Sequence, residues 1–149
     1  MKIGIIVAMD KELVQLKSLL DDATVERRHN KDFILGTIGG KEIVLQKCGI
    51  GKVNSAIGAV EMIDCYQPDI IVSTGVAGGA DSRMEVTDTV VGTEYCYHDA
   101  YCGDDCAFGQ IMGMPAVFRA RQDLVDKAVA ACGDKAVFTG LIVSGEWFV

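Results

Sequence analysis

The stretch Ser73-Thr74-Gly75-Val76-Ala77-Gly78-Gly79 directly follows the apolar run Ile70-Ile71-Val72. The run predicts a buried strand, and the stretch after it predicts a glycine-rich turn at the carboxyl end of that strand. Glycines leave backbone N–H groups uncovered, so a small oxygen-rich ligand can approach them closely. The turn is therefore a candidate binding loop, although the same sequence would also serve as a plain tight connection.

The N-terminus repeats this design. Lys2-Ile3-Gly4-Ile5-Ile6-Val7 predicts a strand buried on both faces, and we expect Asp10 to cap a helix that continues through Leu20. The apolar face of this helix would comprise Leu13, Leu16, Leu19 and Leu20. Glu12 then lies in the first helical turn, beside the carboxyl end of a strand, where open α/β sheets bind their ligands. A carboxylate there can orient or deprotonate water, or it can simply complement the positive helix end.

A third junction follows the apolar run at residues 42–46. There Lys47-Cys48-Gly49-Ile50-Gly51-Lys52 leads into a helical pattern that extends to about Tyr66. Its apolar positions are Val53, Ile57, Val60, Met62 and Ile63. The spacing of a Walker phosphate loop is absent, and we interpret Lys52 as a solvated lysine at a helix start. Together the three junctions predict one ligand crevice at the carboxyl ends of neighbouring strands.

The rest of the chain is interpreted as scaffold. Residues 33–38 and 42–46 flank Gly39-Gly40, which predicts a two-residue hairpin. Further strands are predicted at 86–97 and 136–143, a helix at 124–132, and a polar connection at 21–30. Alternating strands and helices favour a layered α/β fold, and the hairpin makes its sheet mixed. No linker or repeat interrupts the sequence, so we expect a single domain over residues 1–149.

Composition limits the classes of partner. With 149 residues and 50% hydrophobic residues, the chain is long enough to bury a substantial core. A net charge of −7 argues against binding to nucleic acid or an anionic membrane, because a polyanion would be repelled. The sequence shows no signal-peptide pattern and no apolar run of membrane-spanning length, so we expect a cytoplasmic protein.

The cysteines raise the possibility of a metal site. Cys96, His98, Cys102 and Cys106 lie close together in the sequence and include the residue types that bind zinc. Their spacing is not that of a C-x-x-C pair, and we therefore predict reduced thiols, no metal and no cofactor. His98 is interpreted as a hydrogen-bonded structural histidine.

Five ordered motifs give the chain a specific resemblance to a known family. They are Met1–Met9 with Glu12, Gly49–Val53, Thr74–Gly79, Tyr97-His98-Asp99-Ala100 and Gly140–Gly145. Over nearly the whole chain the order of these motifs resembles the N-terminal part of the 5'-methylthioadenosine/S-adenosylhomocysteine nucleosidases, in the purine nucleoside phosphorylase superfamily. The resemblance implies a three-layer α/β/α fold with a central mixed sheet, a cytoplasmic homodimer, and hydrolysis of the N-glycosidic bond of either nucleoside to release adenine.

The resemblance also implies roles for individual residues. Glu12 would activate the water that attacks the ribose, Met9 and Ile50 would line the thioether arm, and Phe148 would stack on adenine. The full set of substrate contacts would be Ala8, Met9, Ile50, Val76, Ala77, Gly78, Phe148 and Val149. An aromatic platform suits a purine face and an apolar slot suits a thioether.

Two departures from the family pattern affect these expectations. Val76 stands where many members have a serine, which removes a hydroxyl that would face the sugar. The sequence stops at Val149, whereas the family continues with a ribose-binding glutamate and an aspartate that protonates the leaving base. General acid catalysis is typically worth about 10²–10⁴-fold in rate, so we expect a C-terminally incomplete domain with little activity by itself.

Three alternatives stay open at this point. The chain could instead resemble a purine nucleoside phosphorylase, a futalosine hydrolase, or a non-catalytic nucleoside-binding or dimerisation domain. Phosphorylases of the superfamily use arginines to hold phosphate, and no arginine of this chain lies in the loop that carries Glu12. The arginines are Arg27, Arg28, Arg83, Arg119 and Arg121. Water is therefore favoured over phosphate as the nucleophile.

Overall fold

A computed structural model describes residues 1–133 and 136–147. The chain divides into two compact units, Met1–Ala77 and Gly78–Val149, which are described in turn. The expectation of one domain over residues 1–149 stays a prediction.

The first unit contains a five-stranded mixed sheet. Its strands are β1 (Lys2–Val7), β2 (Asp21–Arg28), β3 (Lys31–Ile38), β4 (Lys41–Lys47) and β5 (Ile70–Ser73), in the order β2-β3-β4-β1-β5. β1 runs parallel to both of its neighbours, β4 and β5, whereas β2, β3 and β4 form antiparallel pairs. The predicted mixed sheet is thus confirmed.

Two helices cover the opposite faces of this sheet. Side chains alternate along a strand, and in β4 Leu45 belongs to one apolar cluster while Val44 belongs to another. The Leu45 cluster includes Leu13 and Leu16 of helix α1 (Asp10–Lys17). The Val44 cluster includes Met62 of helix α2 (Lys52–Tyr66), which is fully buried. The first unit is therefore an α/β/α sandwich, as the sequence predicts.

The hairpin between β3 and β4 is also confirmed. Gly39 and Gly40 have φ angles of 54° and 73°, a left-handed conformation that glycine adopts without strain. Phe33 pairs with Gln46 and Ile38 with Lys41, so the turn contains only the two glycines.

Some sequence predictions for the first unit are wrong. Met9, not Asp10, is the residue that caps helix α1, and the helix ends at Lys17 rather than Leu20. Leu19 consequently leaves the apolar face and is 61% exposed. Residues 21–30 are not a simple polar connection. Residues 21–28 form β2, which pairs with β3 at the sheet edge, where polar side chains can face solvent.

The burial predicted for β5 is also wrong. β5 is an edge strand, and its Ile71 and Val72 remain partly exposed in the structure. In α2 only Met62 and Gly58 are buried. The other apolar positions of the helical pattern are exposed: Val53, Ile57, Val60 and Ile63.

The second unit contains a three-stranded sheet and one helix. Its strands are β6 (Thr89–Tyr97), β7 (Phe118–Arg119) and β8 (Val137–Ser144), and its helix is α3 (Gln122–Ala131). β6 is central, antiparallel to β7 and parallel to β8. The predicted strand at 86–97 begins later than expected, because Asp88 accepts a hydrogen bond from the Glu85 N–H in a turn. In the described part of the chain, no helix has the length and apolar character needed to cross a membrane.

Candidate active site

Three strand ends meet at one edge of the first sheet. Val7 at the end of β1 is paired with Lys47 of β4, and Ile6 is paired with Ser73 of β5. Because the three strands are parallel, the loops that follow them leave the sheet on the same side. The prediction that these junctions converge is confirmed for the first unit.

Glu12 caps the start of helix α1. Its Oε2 atom accepts hydrogen bonds from the backbone N–H groups of Ala8, at 3.0 Å, and Met9, at 2.9 Å. A carboxylate three residues into a helix often folds back in this way to satisfy backbone donors that the helix leaves unpaired. Glu12 therefore does complement the helix start, which is one of the two roles the sequence allows.

The same side chain also reaches the glycine-rich loop. The Oε1 atom of Glu12 accepts a hydrogen bond of 3.0 Å from the backbone N–H of Val76, 64 positions along the chain. The loop thus donates one of its N–H groups to a carboxylate of the protein itself. The sequence had suggested that these N–H groups would bind a ligand. This long-range contact leaves no signal in the sequence and was missed there.

The carboxylate keeps some capacity to accept a further hydrogen bond. A carboxylate has about four lone-pair sites, and three backbone donors occupy three of them. These donors come from two separate segments, so the orientation of the group is fixed from two sides. An oriented carboxylate with a remaining acceptor site is suited to hold and deprotonate a water molecule.

Asp10, two residues before Glu12, has a different role. Its carboxylate forms an ion pair of 2.6 Å with Lys47 Nζ at the end of β4. The Asp10 side chain is 77% exposed, and such surface pairs contribute little to stability. Of the two carboxylates, Glu12 is the one that contacts the glycine-rich loop.

Cys48 lies beside this edge of the sheet but is not suited to act as a nucleophile. Its thiol is buried and donates to the carbonyl oxygens of Val7, at 3.3 Å, and Gly49, at 3.1 Å. Burial raises the pKa of the Cys48 thiol, which favours the protonated form. Its role in the structure is to join the ends of β1 and β4.

The loop after β4 presents Ile50 to solvent. Gly49 and Gly51 have φ angles of 100° and 98°, which residues with a side chain rarely adopt. Between them Ile50 is 60% exposed, and its carbonyl oxygen accepts a hydrogen bond of 2.7 Å from Asn54. The loop therefore exposes the apolar side chain of Ile50, and its contact with a thioether arm stays a prediction.

The remaining predicted contacts are distributed over both units. Ala8 and Met9 are half-buried beside Glu12, whereas Val76 and Ala77 are exposed in the glycine-rich loop. Gly78 begins the second unit. Phe148 and Val149 lie outside the described residues.

In the second unit, His98 and Asp99 hold the segment after β8. The backbone N–H of His98 donates to Ser144 at 2.9 Å, and its ring meets that of Trp147 edge-on with centroids 5.2 Å apart. Asp99 accepts a hydrogen bond from the Glu146 N–H. Among the residues with described positions, no three His, Cys, Asp or Glu side chains cluster in a way that could bind a metal.

Comparison with known proteins identifies the family. Residues 2–149 match the sequence profile of the phosphorylase superfamily. The chain belongs to this superfamily. Among curated members, it is 44% identical over 151 residues to the 5'-methylthioadenosine/S-adenosylhomocysteine nucleosidase of Halalkalibacterium halodurans. It is 41% identical over 155 residues to the nucleosidase of the same name from Desulfotalea psychrophila.

Solved structures of superfamily members have the same fold. The nucleosidase of Neisseria meningitidis in complex with methylthio-immucillin-A matches with a TM-score of 0.93 and 33% identity, over 99% of this chain and 66% of that one. The Streptococcus pneumoniae MTA/SAH nucleosidase in complex with 8-aminoadenine matches with a TM-score of 0.95 and 34% identity, over 100% of this chain and 66% of that one.

The matches cover this chain almost completely but not the relatives. The match to the H. halodurans protein covers 99% of this chain and 65% of that protein. The match to the D. psychrophila protein covers 100% of this chain and 65% of that protein. It therefore spans just under two thirds of the length of these superfamily members.

Proposed function

We propose that this protein hydrolyses the N-glycosidic bond of 5'-methylthioadenosine and S-adenosylhomocysteine, releasing adenine. The observation that carries the proposal is the Glu12 carboxylate, which three backbone N–H groups orient where three parallel strands end. The substrate class is that of the similar nucleosidases from H. halodurans and D. psychrophila.

Glu12 is the proposed general base. It holds a water molecule through its remaining acceptor site and takes a proton from it as the oxygen attacks the anomeric carbon of the ribose. The glycosidic bond breaks through an oxocarbenium-like state, and its electron pair leaves with the base. The base takes up a proton, which in the family comes from the aspartate of the last third, to give neutral adenine. The backbone donors hold the carboxylate in place, so the water is oriented before the reaction begins.

The proposed substrate contacts follow the chemistry of the nucleoside. Met9 and Ile50 form an apolar surface for the methylthio or homocysteine arm. Ala8, Val76, Ala77 and Gly78 border the sugar, and Phe148 and Val149 contact the base by stacking and by backbone hydrogen bonds. No cofactor or metal has a part in this mechanism.

Hydrolysis is proposed instead of phosphorolysis because every described arginine is already paired with a carboxylate. Arg27 and Arg28 lie on the edge strand β2, where they bond to Asp32 and Glu26. The other arginines form ion pairs with nearby carboxylates: Arg83 with Asp81, Arg119 with Glu94, and Arg121 with Asp123. A phosphate dianion would need such cationic donors, whereas water needs only the oriented carboxylate.

Cytoplasmic location and a homodimer are proposed from the family resemblance. Light scattering of the purified protein tests the assembly. A mass equal to twice that of the chain supports the dimer, and a monodisperse monomer contradicts it.

Adenine release from 5'-methylthioadenosine tests the activity. Two forms are assayed: the 149-residue chain, and a hybrid in which it is followed by the last third of the H. halodurans nucleosidase. In the family the general acid and the ribose-binding glutamate lie in that last third, so we expect the hybrid to be at least about 10²-fold faster. An inactive but folded hybrid would contradict the proposal.

The substitution Glu12→Gln tests whether Glu12 is the general base. We expect a fall in kcat of about 10²–10⁴-fold, because the amide cannot take a proton from water. Asp10→Asn is the matched control, since it removes a neighbouring carboxylate that is paired with Lys47. Equal activities of both variants would show that Glu12 has no catalytic role.

The same assay distinguishes the alternative functions. A hydrolase forms free methylthioribose whether or not phosphate is present, whereas a phosphorylase requires phosphate and forms a sugar phosphate. Tight binding of adenine by the hybrid without any turnover would instead favour a non-catalytic nucleoside-binding domain.

A further inference from the structure

The backbone of Gly75 lies directly against the carboxylate of Glu12. A Cβ atom built on Gly75 would be 2.5 Å from Oε1, 3.0 Å from Cδ and 3.3 Å from Oε2 of Glu12. Real Cβ atoms essentially never come as close as the first of these distances. Only a glycine therefore allows the carboxylate to lie in its observed position.

Backbone conformation does not explain this glycine. Gly75 is absent from the positive-φ residues of the described chain, so a residue with a side chain could adopt its backbone geometry. The other glycines of the loop also differ from it. A Cβ atom on Gly78 would meet nothing within 4 Å, and one on Gly79 would make only ordinary contact with Met84 at 3.6 Å.

We propose that Gly75 is a positioning residue for the reaction, because it sets the orientation of Glu12. Its bare Cα lets the carboxylate approach the loop, where the next residue, Val76, donates its N–H to Oε1. Ala8 and Met9 hold the other oxygen atom. The group is thus held between the start of α1 and a close backbone contact with the loop.

This inference rests on the proposed role of Glu12 as the base. A methyl group at position 75 would displace Oε1 from the Val76 N–H and rotate the remaining acceptor site away from its water. Misplacement of a catalytic group by about 1 Å can cost roughly 10²-fold in rate. Substrate binding depends on other residues, so we expect Gly75→Ala to lower kcat and to leave KM nearly unchanged.

The first test needs no turnover and uses the 149-residue chain. We expect Gly75→Ala to lower the Tm in the wild-type background and to have a much smaller effect in a Glu12→Ala background, where the atoms that it meets are gone. The control Gly140→Ala places a methyl group in open space in β8, and its effect should be the same in both backgrounds. Equal effects of Gly75→Ala in both backgrounds would overturn the inference.

An amide resonance reports the geometry directly. A hydrogen bond to a carboxylate moves an amide proton downfield, and in nitrogen-edited NMR spectra we expect the Val76 amide to shift upfield in Gly75→Ala and in Glu12→Ala. Gly140→Ala should leave it in place. An unchanged Val76 resonance in Gly75→Ala would mean that the carboxylate tolerates the methyl group, against the inference.

Kinetics separate positioning from general damage. The variants are made in whichever of the two assayed forms is active, the 149-residue chain or the hybrid. We expect Gly75→Ala to lower kcat about 10- to 100-fold while KM stays within about threefold. In a Glu12→Gln background, we expect Gly75→Ala to have no further effect on kcat. A wild-type kcat, or a loss that adds to that of Glu12→Gln, would overturn the role of Gly75. If Glu12→Gln itself retains full turnover, the proposed function fails instead.

Discussion

The Asp99 carboxylate accepts a hydrogen bond of 2.9 Å from the backbone N–H of Glu146 and so ties the end of β6 to the segment after β8. Next to this bond, Gly145 packs against the ring of His98 so closely that a Cβ atom would have no room. The segment leads into Phe148, the proposed platform for adenine. If Phe148 has the proposed role, placement of the base depends on contacts made several residues earlier.

Asp99→Ala should loosen this segment. Loss of one such hydrogen bond costs about 1 kcal/mol in the free energy of unfolding, and the backbone donor of Glu146 loses a partner. Trp147 is the single tryptophan of the chain, so its fluorescence reports the segment directly. We expect lower anisotropy and stronger acrylamide quenching than in Asp105→Ala, which removes an exposed carboxylate from the same loop. Identical fluorescence in the two variants would contradict the prediction.

Gly58→Ala should destabilise the first unit although alanine favours helices. A Cβ atom at position 58 would be 2.6 Å from the Cβ of Cys48 and 3.0 Å from Oε1 of Gln46. Overpacking of this kind costs about 1–3 kcal/mol, which exceeds the gain of roughly 1 kcal/mol in helix propensity. Urea unfolding measures the difference. Ser55→Ala, at an exposed position of α2, should change stability by no more than about 0.5 kcal/mol.

Glu61→Gln should destabilise the contact between α2 and the hairpin. Glu61 Oε2 lies 3.6 Å from Lys31 Nζ, with side chains only 15% and 20% exposed, and accepts a hydrogen bond from the buried Gln46. Removing the charge leaves a largely desolvated ammonium without its counter-ion, and we expect a loss of about 1–3 kcal/mol in urea unfolding.

A surface ion pair provides the control for Glu61→Gln. Arg27 and Asp32 are 3.1 Å apart, but their side chains are 63% and 55% exposed. Asp32→Asn should therefore cost at most about 1 kcal/mol. Equal losses for the two variants would mean that burial does not strengthen the Lys31–Glu61 pair.

The carboxyl group of Asp81 should have an unusually low pKa. Hydrogen bonds from Arg83 lower the pKa of Asp81 from 3.8 to about 2. Because the pKa is lower in the folded state, the charged carboxylate stabilises the fold at pH values above the pKa of the unfolded chain. This contribution is lost as the pH falls from about 4 to about 2. Carbon-detected NMR titration measures the pKa. Arg83→Ala should return it towards 3.8, whereas Arg121→Ala, which removes a guanidinium paired with Asp123, should not change it.

The sequence by itself determined the local elements and the position of Glu12. β1, β4, α2 and the Gly39-Gly40 hairpin follow from apolar runs, helical spacing and turn residues, all of which act over a few neighbouring positions. The placement of Glu12 in the first turn of α1 follows in the same way, although the capping residue and the helix end do not. Family motifs added the substrate class and the proposed contacts.

Tertiary structure alone decided how these elements are used. Polar residues 21–28 become β2 because β3 offers them a pairing edge, which composition does not reveal. The bond from Val76 to Glu12 and the close approach of Gly75 join segments more than 60 positions apart. Such contacts arise from the parallel pairing of β1 with β5, and a pattern of neighbouring residues carries no record of which distant loop will meet a given side chain.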